Sequence, residues 1–356
     1  MKILIWCTGD SEKGLGHIYR EIVLGHTLLS RGHALVYITT RKSVGETILR
    51  HAFEKVPSVI IHTHRGDTPP ASFFARNLAD VVIMDVEHGP SRQVIIYAKH
   101  CSRVVVIGGV GFYIFDQASV DELVDLQVHQ SAVVTHEAGL KSTSNFVSGC
   151  EYVVIDKHYP LARAVYSLNR SEPRGSKFIL VSMGGADPRN LTHPTAENLA
   201  RAFPASRIIA VYGPASKKAN RKFSVPNVEI VESPPPSQFS RLMAESAFVI
   251  TALGMTVYEA LCVGVPVACT AWSEDHEETA QYLQSKNAIT YLGTWDNFDT
   301  AQMFSFAHNV MAFEEYRDKK TEAGHKLVDG KGAERVADSI ECVVMGEDSA
   351  YGVWKA

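Results

Sequence analysis

Short runs of Val, Ile and Leu recur along the chain, and between them apolar residues return every three or four positions. The runs suit strands buried on both faces, and the spaced pattern suits helices with one apolar side. In the first half the runs fall at 2–8, 34–40, 59–62, 81–86, 103–109 and 126–129. Between the first two, Ile18, Ile22, Val23, Leu28 and Leu29 share one side of a helix predicted over 17–31. The second half repeats the alternation, with strands at 178–183, 207–212, 228–231, 248–252, 265–271 and 288–292. Closing helices are predicted over 300–320 and 333–345. Strands alternating with helices predict parallel sheets covered on both faces. The stretch 164–177, crowded with Asn, Arg, Ser, Pro and Gly, reads as a linker. The expectation is an α/β chain of two Rossmann-like, doubly wound domains, 1–165 and 176–345, facing a central cleft. A patternless tail, 346–356, follows.

Composition supports two cores. The 356 residues are 46% hydrophobic and 21% charged, ordinary values for a globular chain of this length. A formal net charge of −4 gives no general attraction for nucleic acid or anionic lipid. No apolar run approaches the about 18–20 residues needed to span a bilayer, and residues 1–7 read as an opening strand rather than a secretory leader. Cys7, Cys101, Cys150, Cys262, Cys269 and Cys342 include no C-x-x-C pair, so they read as free thiols of a reducing compartment. A cytoplasmic protein is expected.

In doubly wound sheets, ligands meet the turns that follow strands. The first such turn, Gly14-Leu15-Gly16-His17, leads into a helix whose free N–H groups suit an anion. An imidazole there suits a general base, and the helix dipole favours its neutral form. A capping or packing histidine has the same sequence. The second turn, Ser182-Met183-Gly184-Gly185-Ala186-Asp187-Pro188-Arg189-Asn190-Leu191-Thr192, pairs glycines that leave room for phosphate with an Asp-Pro bend, and a helix is predicted near Asn190; Gly184, Gly185, Asp187, Asn190 and Thr192 are candidates for meeting the donor.

The third turn, Gly254-Met255-Thr256, offers backbone amides and a hydroxyl to a diphosphate. Glu259, one helical turn on, suits ribose hydroxyls, though a solvated carboxylate reads the same way. In the fourth, Asp275 and His276 open a helix and suit the hydroxyls of a sugar; an acidic helix start is the plain alternative. Asp10, Asp85 and His88 are candidates for the acceptor side. The sequence has no D-x-D and no H-E-x-x-H, so neither a dedicated metal site nor a cofactor is expected.

Three motifs together resemble the PseG/SpsG group of nucleotide-sugar enzymes, which is similar in turn to the glycosyltransferase of lipid II synthesis. They are Gly14-x-Gly16-His17-x-x-Arg20, Ser182-Met183-Gly184-Gly185-Ala186-Asp187-Pro188-x-Asn190-x-Thr192 and Gly254-Met255-Thr256-x-x-Glu259. The resemblance runs over about residues 1–340. It implies a GT-B fold with UDP held mainly by the C-terminal domain, His17 as base and no need of a metal. It also implies that 254–256 meet the diphosphate and Glu259 the ribose.

Two positions depart from the hydrolase of that group. Trp6-Cys7-Thr8-Gly9-Asp10 stands in the region of its Arg-x-Asp pattern, and Asp275-His276 replaces its Asn-Gln pair. Asp-His looks more like the Asp-Gln pair of many GT-B glycosyltransferases. The expected activity is therefore transfer of a sugar from a nucleotide-sugar, UDP-linked by the resemblance, to a small acceptor, with His17 as base. The alternative is hydrolysis with water as acceptor; an epimerase or a non-catalytic binder could be built on the same scaffold. An NAD-dependent dehydrogenase is disfavoured. The first turn lacks the third glycine of the dinucleotide fingerprint, and Thr39-Thr40 stands where an acidic residue would end the second strand.

Overall fold

A computed structural model describes residues 1–11, 14–66, 68–69, 71–86, 89–108, 123–130, 146–168, 177–216 and 222–345. The chain divides into two compact units, one of 1–154 with 331–356 and one of 155–330.

The first unit is built on seven strands: β1 (Lys2–Cys7), β2 (Ala34–Thr40), β3 (Ile60–His64), β4 (Val81–Asp85), β5 (Arg103–Gly108), β6 (Leu126–His129) and β7 (Phe146–Ser148). They run parallel in the order β3-β2-β1-β4-β5-β6-β7. Among the described residues, α1 (Gly16–Ser30), α2 (Val44–Ala52), α3 (Ala71–Arg76) and α4 (Arg92–Lys99) lie between successive strands from β1 to β5. The central strands β1 and β4 are buried almost end to end because helices cover both faces. One core joins Ile3, Ile5, Leu24 and Leu28 on the α1 side; the other joins Leu4, Trp6, Phe74 and Ile95 on the α3–α4 side.

The second unit carries β8 (Ile179–Ser182), β9 (Ile208–Tyr212), β10 (Val228–Glu232), β11 (Phe248–Ala252), β12 (Val267–Ala271) and β13 (Ile289–Thr294). They are also parallel, in the order β10-β9-β8-β11-β12-β13. Its helices are α5 (His158–Leu168), α6 (Thr192–Ala202), α7 (Pro236–Glu245), α8 (Met255–Val263), α9 (Glu274–Ser285), α10 (Thr300–Ala312) and α11 (Glu314–Leu327). The edge strand β10 reads Val-Glu-Ile-Val-Glu, and its charges discourage pairing with another chain.

The boundaries differ from those read in the sequence. Helix α5 runs through the first part of the expected linker and belongs to the second unit, where Arg163 donates to the carbonyls of Cys262 (2.8 Å) and Val328 (2.9 Å). The last helix, α12 (Gly332–Met345), belongs to the first unit instead of closing the second. Its apolar side, Ala333, Val336, Ala337 and Ile340, completes the core around Leu24 and Leu28. Arg31 pairs with Asp338 at 2.7 Å and with Glu341 at 2.9 Å. The helix expected over 300–320 is two helices, parted at Phe313, whose backbone is extended. Strand β7 was not expected, being only three residues long. The tail 346–356 lies outside the described residues. Cys7, Cys150, Cys262 and Cys269 are buried free thiols, and Cys101 and Cys342 are half-buried. No helix among the described residues is long and apolar enough to cross a membrane.

Candidate active site

In the first unit the strand order reverses between β1 and β4, so the turns leaving these two strands diverge and open a crevice. Gly14 (φ +82°) takes the left-handed conformation that lets the chain double back, and its carbonyl accepts from the Asp10 N–H at 3.1 Å. Helix α1 then begins at Gly16, which places His17 in its first turn. Asp85 ends β4 beside Cys7 of β1 and is fully buried.

These elements bring His17, Arg20 and Asp85 together. His17 Nδ1 lies 2.6 Å from Asp85 Oδ1. Arg20 Nε donates to Asp85 Oδ2 at 2.7 Å, and Arg20 Nη2 donates to Oδ1. Burial by itself raises the Asp85 carboxyl, but the Arg20 guanidinium and the His17 ring outweigh it and hold it well below the usual carboxylate range. Asp85 is thus the charged acceptor and His17 Nδ1 carries the hydrogen. The 3.0 Å approach of Arg20 Nη2 to that nitrogen is then a contact, not a hydrogen bond. Nε2 is left as the ring's lone-pair nitrogen. The ring is one-fifth exposed.

Asp85 was expected on the acceptor side; with no exposed surface it is instead the partner that orients His17. Asp10 is half-buried on the turn. His88 lies outside the described residues. Arg20 is the ion partner of Asp85 and stands three residues after His17 on α1. Its signal was the spacing from His17, since residues three apart share a helix face.

In the second unit the order reverses between β8 and β11, and both glycine turns sit there. Gly184 has φ +84°, and the Gly185 carbonyl accepts from the Ala215 N–H at 3.0 Å. Asp187 and Thr192, expected to meet the donor, are committed to the turn itself. Asp187 accepts from the Leu191 and Thr192 N–H groups at 2.8 and 3.0 Å, and the Thr192 hydroxyl accepts from Met183 N–H at 3.3 Å. Both are buried. Helix α6 starts at Thr192, and Asn190 stays exposed at φ +53°.

After β11, Gly254 leads into α8 with no side chain capping the helix and no acidic residue in its first turn. The N–H groups at Met255 and Thr256 therefore form an uncapped, electropositive end. Glu259 receives hydrogen bonds from the Tyr159 and Thr256 hydroxyls. Burial pushes its carboxyl up to about 7, Asp156 adds to the rise, and the two hydroxyls only partly offset it.

After β12, Ser273 caps α9 by accepting from the His276 N–H at 3.3 Å. Burial pushes the His276 ring down to about 4, so it is neutral at pH 7. The Trp272 ring packs against the edge of His276 at 4.6 Å and lies 6.2 Å from Trp295. The Arg189 guanidinium sits 5.8 Å from the Trp295 ring. Trp272 stays 47% exposed, a large apolar face beside His276 that the sequence reading did not single out. The Asp275 side chain lies outside the described residues. Among the described residues no three His, Cys, Asp or Glu side chains converge as a metal site requires.

No family model matches the chain. It is 22% identical to the spore coat polysaccharide biosynthesis protein SpsG of Bacillus subtilis, over 96% of this chain and 98% of SpsG. Among solved structures it is similar to MurG of Acinetobacter baumannii, with TM-score 0.65, 12% identity and coverage of 96% of this chain and 99% of MurG. The UDP-GlcNAc 2-epimerase of Neisseria meningitidis, solved with UDP-GlcNAc, gives TM-score 0.64 and 12% identity, covering 96% of this chain and all of that one (100%). At such identities the solved structures speak for the fold. The chain resembles SpsG in sequence over nearly the whole length of both, and its two-unit α/β architecture is that of GT-B proteins.

Proposed function

We propose that the chain is a glycosyltransferase that takes a sugar from a nucleotide-sugar, UDP-linked, and passes it to a small acceptor, with His17 as general base. The observation that carries this reading is the His17–Asp85–Arg20 group: an imidazole whose Nδ1–H is held by a buried carboxylate, so that Nε2 is the proton acceptor. Nε2 takes the proton of the acceptor hydroxyl as oxygen attacks the anomeric carbon. Asp85, ionised under Arg20, stabilises the imidazolium that forms. A step of this kind contributes roughly 10²–10⁴-fold to rate.

The second unit holds the donor. The uncapped start of α8 at Met255 and Thr256 meets the diphosphate and stabilises charge developing on the leaving group. Gly184 and Gly185 leave room for phosphate at the neighbouring strand end, Glu259 accepts from ribose hydroxyls, and Asp275 and His276 contact the sugar. Likeness to an epimerase solved with UDP-GlcNAc supports a nucleotide-sugar as ligand.

The test is a screen of nucleotide-sugars for thermal stabilisation, followed by product mass measurement with the best binder in cell extract. A glycosylated acceptor and free UDP are expected. Release of free sugar from purified protein without acceptor makes the enzyme a hydrolase using the same base, and interconversion of UDP-sugars without UDP release makes it an epimerase. UDP binding with no consumption of donor leaves a binder.

A further inference from the structure

Next to Arg20 on α1 stands Glu21, which has no exposed surface. The Asp85 carboxyl lies against it. Among the described residues no N–H or hydroxyl reaches either oxygen of the Glu21 carboxyl. Around it lie Arg20 on the same helix, Asp85 on β4, the Cys7 thiol on β1 and Tyr37 on β2. The Tyr37 hydroxyl donates to the Glu21 main-chain carbonyl at 2.7 Å, so it does not serve the carboxyl.

Two carboxyl groups therefore share one guanidinium, and the fork of that guanidinium is occupied by Asp85. A second ionised carboxylate here would be a buried, unpaired charge, which is far more costly than a neutral acid. Two carboxylates in contact also cannot both be ionised without strong repulsion, so one proton lies between them. Asp85 has Arg20 and His17 as partners and keeps its charge; the proton belongs to Glu21.

We propose that Glu21 is a positioning residue, a neutral carboxylic acid that donates a hydrogen bond to Asp85 and so weakens the hold of Asp85 on a protonated His17. The chain of contacts is Glu21 to Asp85 to His17, with Arg20 fixing the middle member. By drawing on the same carboxylate as the His17 Nδ1–H, Glu21 limits how strongly Asp85 favours imidazolium and keeps the ring available as a base. The burial and the contact with Asp85 raise the Glu21 carboxyl well above its ordinary range, in agreement with this role.

This inference rests on His17 being the base, but its test needs no turnover, so the two can fail separately. The His17 ring is followed by NMR through a pH titration, its signal assigned by loss in His17→Ala. In Glu21→Gln the amide still donates to Asp85, and the midpoint should stay within about 0.3 pH units of wild type. In Glu21→Leu the donor is gone, and the midpoint should rise by about half a unit or more. The infrared carbonyl band of a protonated carboxyl, present in wild type at pH 9 where Glu259 is ionised, should vanish in Glu21→Gln. If Glu21 were ionised, both replacements would remove a negative charge and the midpoint would fall. A fall in either variant, no movement in Glu21→Leu, or no lost band overturns the proposal. Should Glu21→Leu not fold, the midpoint and band of Glu21→Gln decide it.

Discussion

His17 Nδ1 and Asp85 Oδ1 lie 2.6 Å apart although 68 residues separate them in the chain. The pairing exists because β1 and β4 are neighbours at the point where the first sheet reverses its order. It gives one ring nitrogen a fixed hydrogen and leaves the other with its lone pair.

Replacing either member should separate chemistry from stability. His17→Ala should lower kcat/KM by about 10²–10⁴-fold and leave the fold intact. Asp85→Asn should lower activity as well, and it also strands the buried Arg20 charge, costing on the order of 3 kcal/mol. Because the Asp85 carboxyl is held low in the fold, its stabilising contribution is present above the ordinary carboxylate range and is lost only as pH falls far below it. Urea unfolding of both variants at pH 7, beside their kinetics, checks this; an Asp85→Asn protein as stable as wild type would contradict the ion pair.

Arg20→Lys keeps the charge but loses the two-pronged grip through Nε and Nη2 on Asp85. The expected loss is about 1–2 kcal/mol of stability, with activity down at least about tenfold as Asp85 loosens behind His17. Arg20→Lys matching wild type in both thermal unfolding and turnover would show that the fork geometry does not matter.

Glu259 should act on stability and on binding with opposite signs. Its folded carboxyl is raised from an ordinary 4.5 to about 7, so the acid form is favoured by the fold. Its contribution to stability is complete below pH 4.5 and is lost as pH rises through about 7. Ligand-free Glu259→Gln should match wild type near pH 5 and exceed it at pH 8, on the order of 1 kcal/mol. The same variant should bind UDP about tenfold more weakly, because an amide nitrogen that only donates replaces one of the two acceptor oxygens and the charge is gone. Melting curves at the two pH values and calorimetric UDP titration read the two effects, and a variant less stable at pH 8 would refute the burial argument.

Trp272→Ala removes a side chain that is 47% exposed, so stability should move by no more than about 0.5 kcal/mol. If the indole lies along the sugar, affinity for the nucleotide-sugar should drop about five- to tenfold while affinity for UDP stays unchanged. Equal losses for both ligands would move Trp272 to the nucleotide end.

Much of the site was legible because turns are local. The positions of Gly14, Gly184 and Gly254 after apolar runs marked the three strand ends, and each lies in a turn that leaves a strand. Other placements depended on hydrogen bonds and burial that the residue pattern does not show. Asp187 looked like a ligand residue until its two oxygens were found on the Leu191 and Thr192 amides. Asp85 looked like an acceptor contact until β4 buried it beside Arg20.

The sequence by itself determined two series of strands and helices and the turns where chemistry is to be sought, since periodicity and turn residues act over a few positions. Only the tertiary structure decided that α12 completes the first core, that Asp85 and Arg20 hold His17, and that Glu21 stands buried beside Asp85. Parallel sheets join residues far apart in the chain, and a buried charge is defined by what surrounds it rather than by what precedes it.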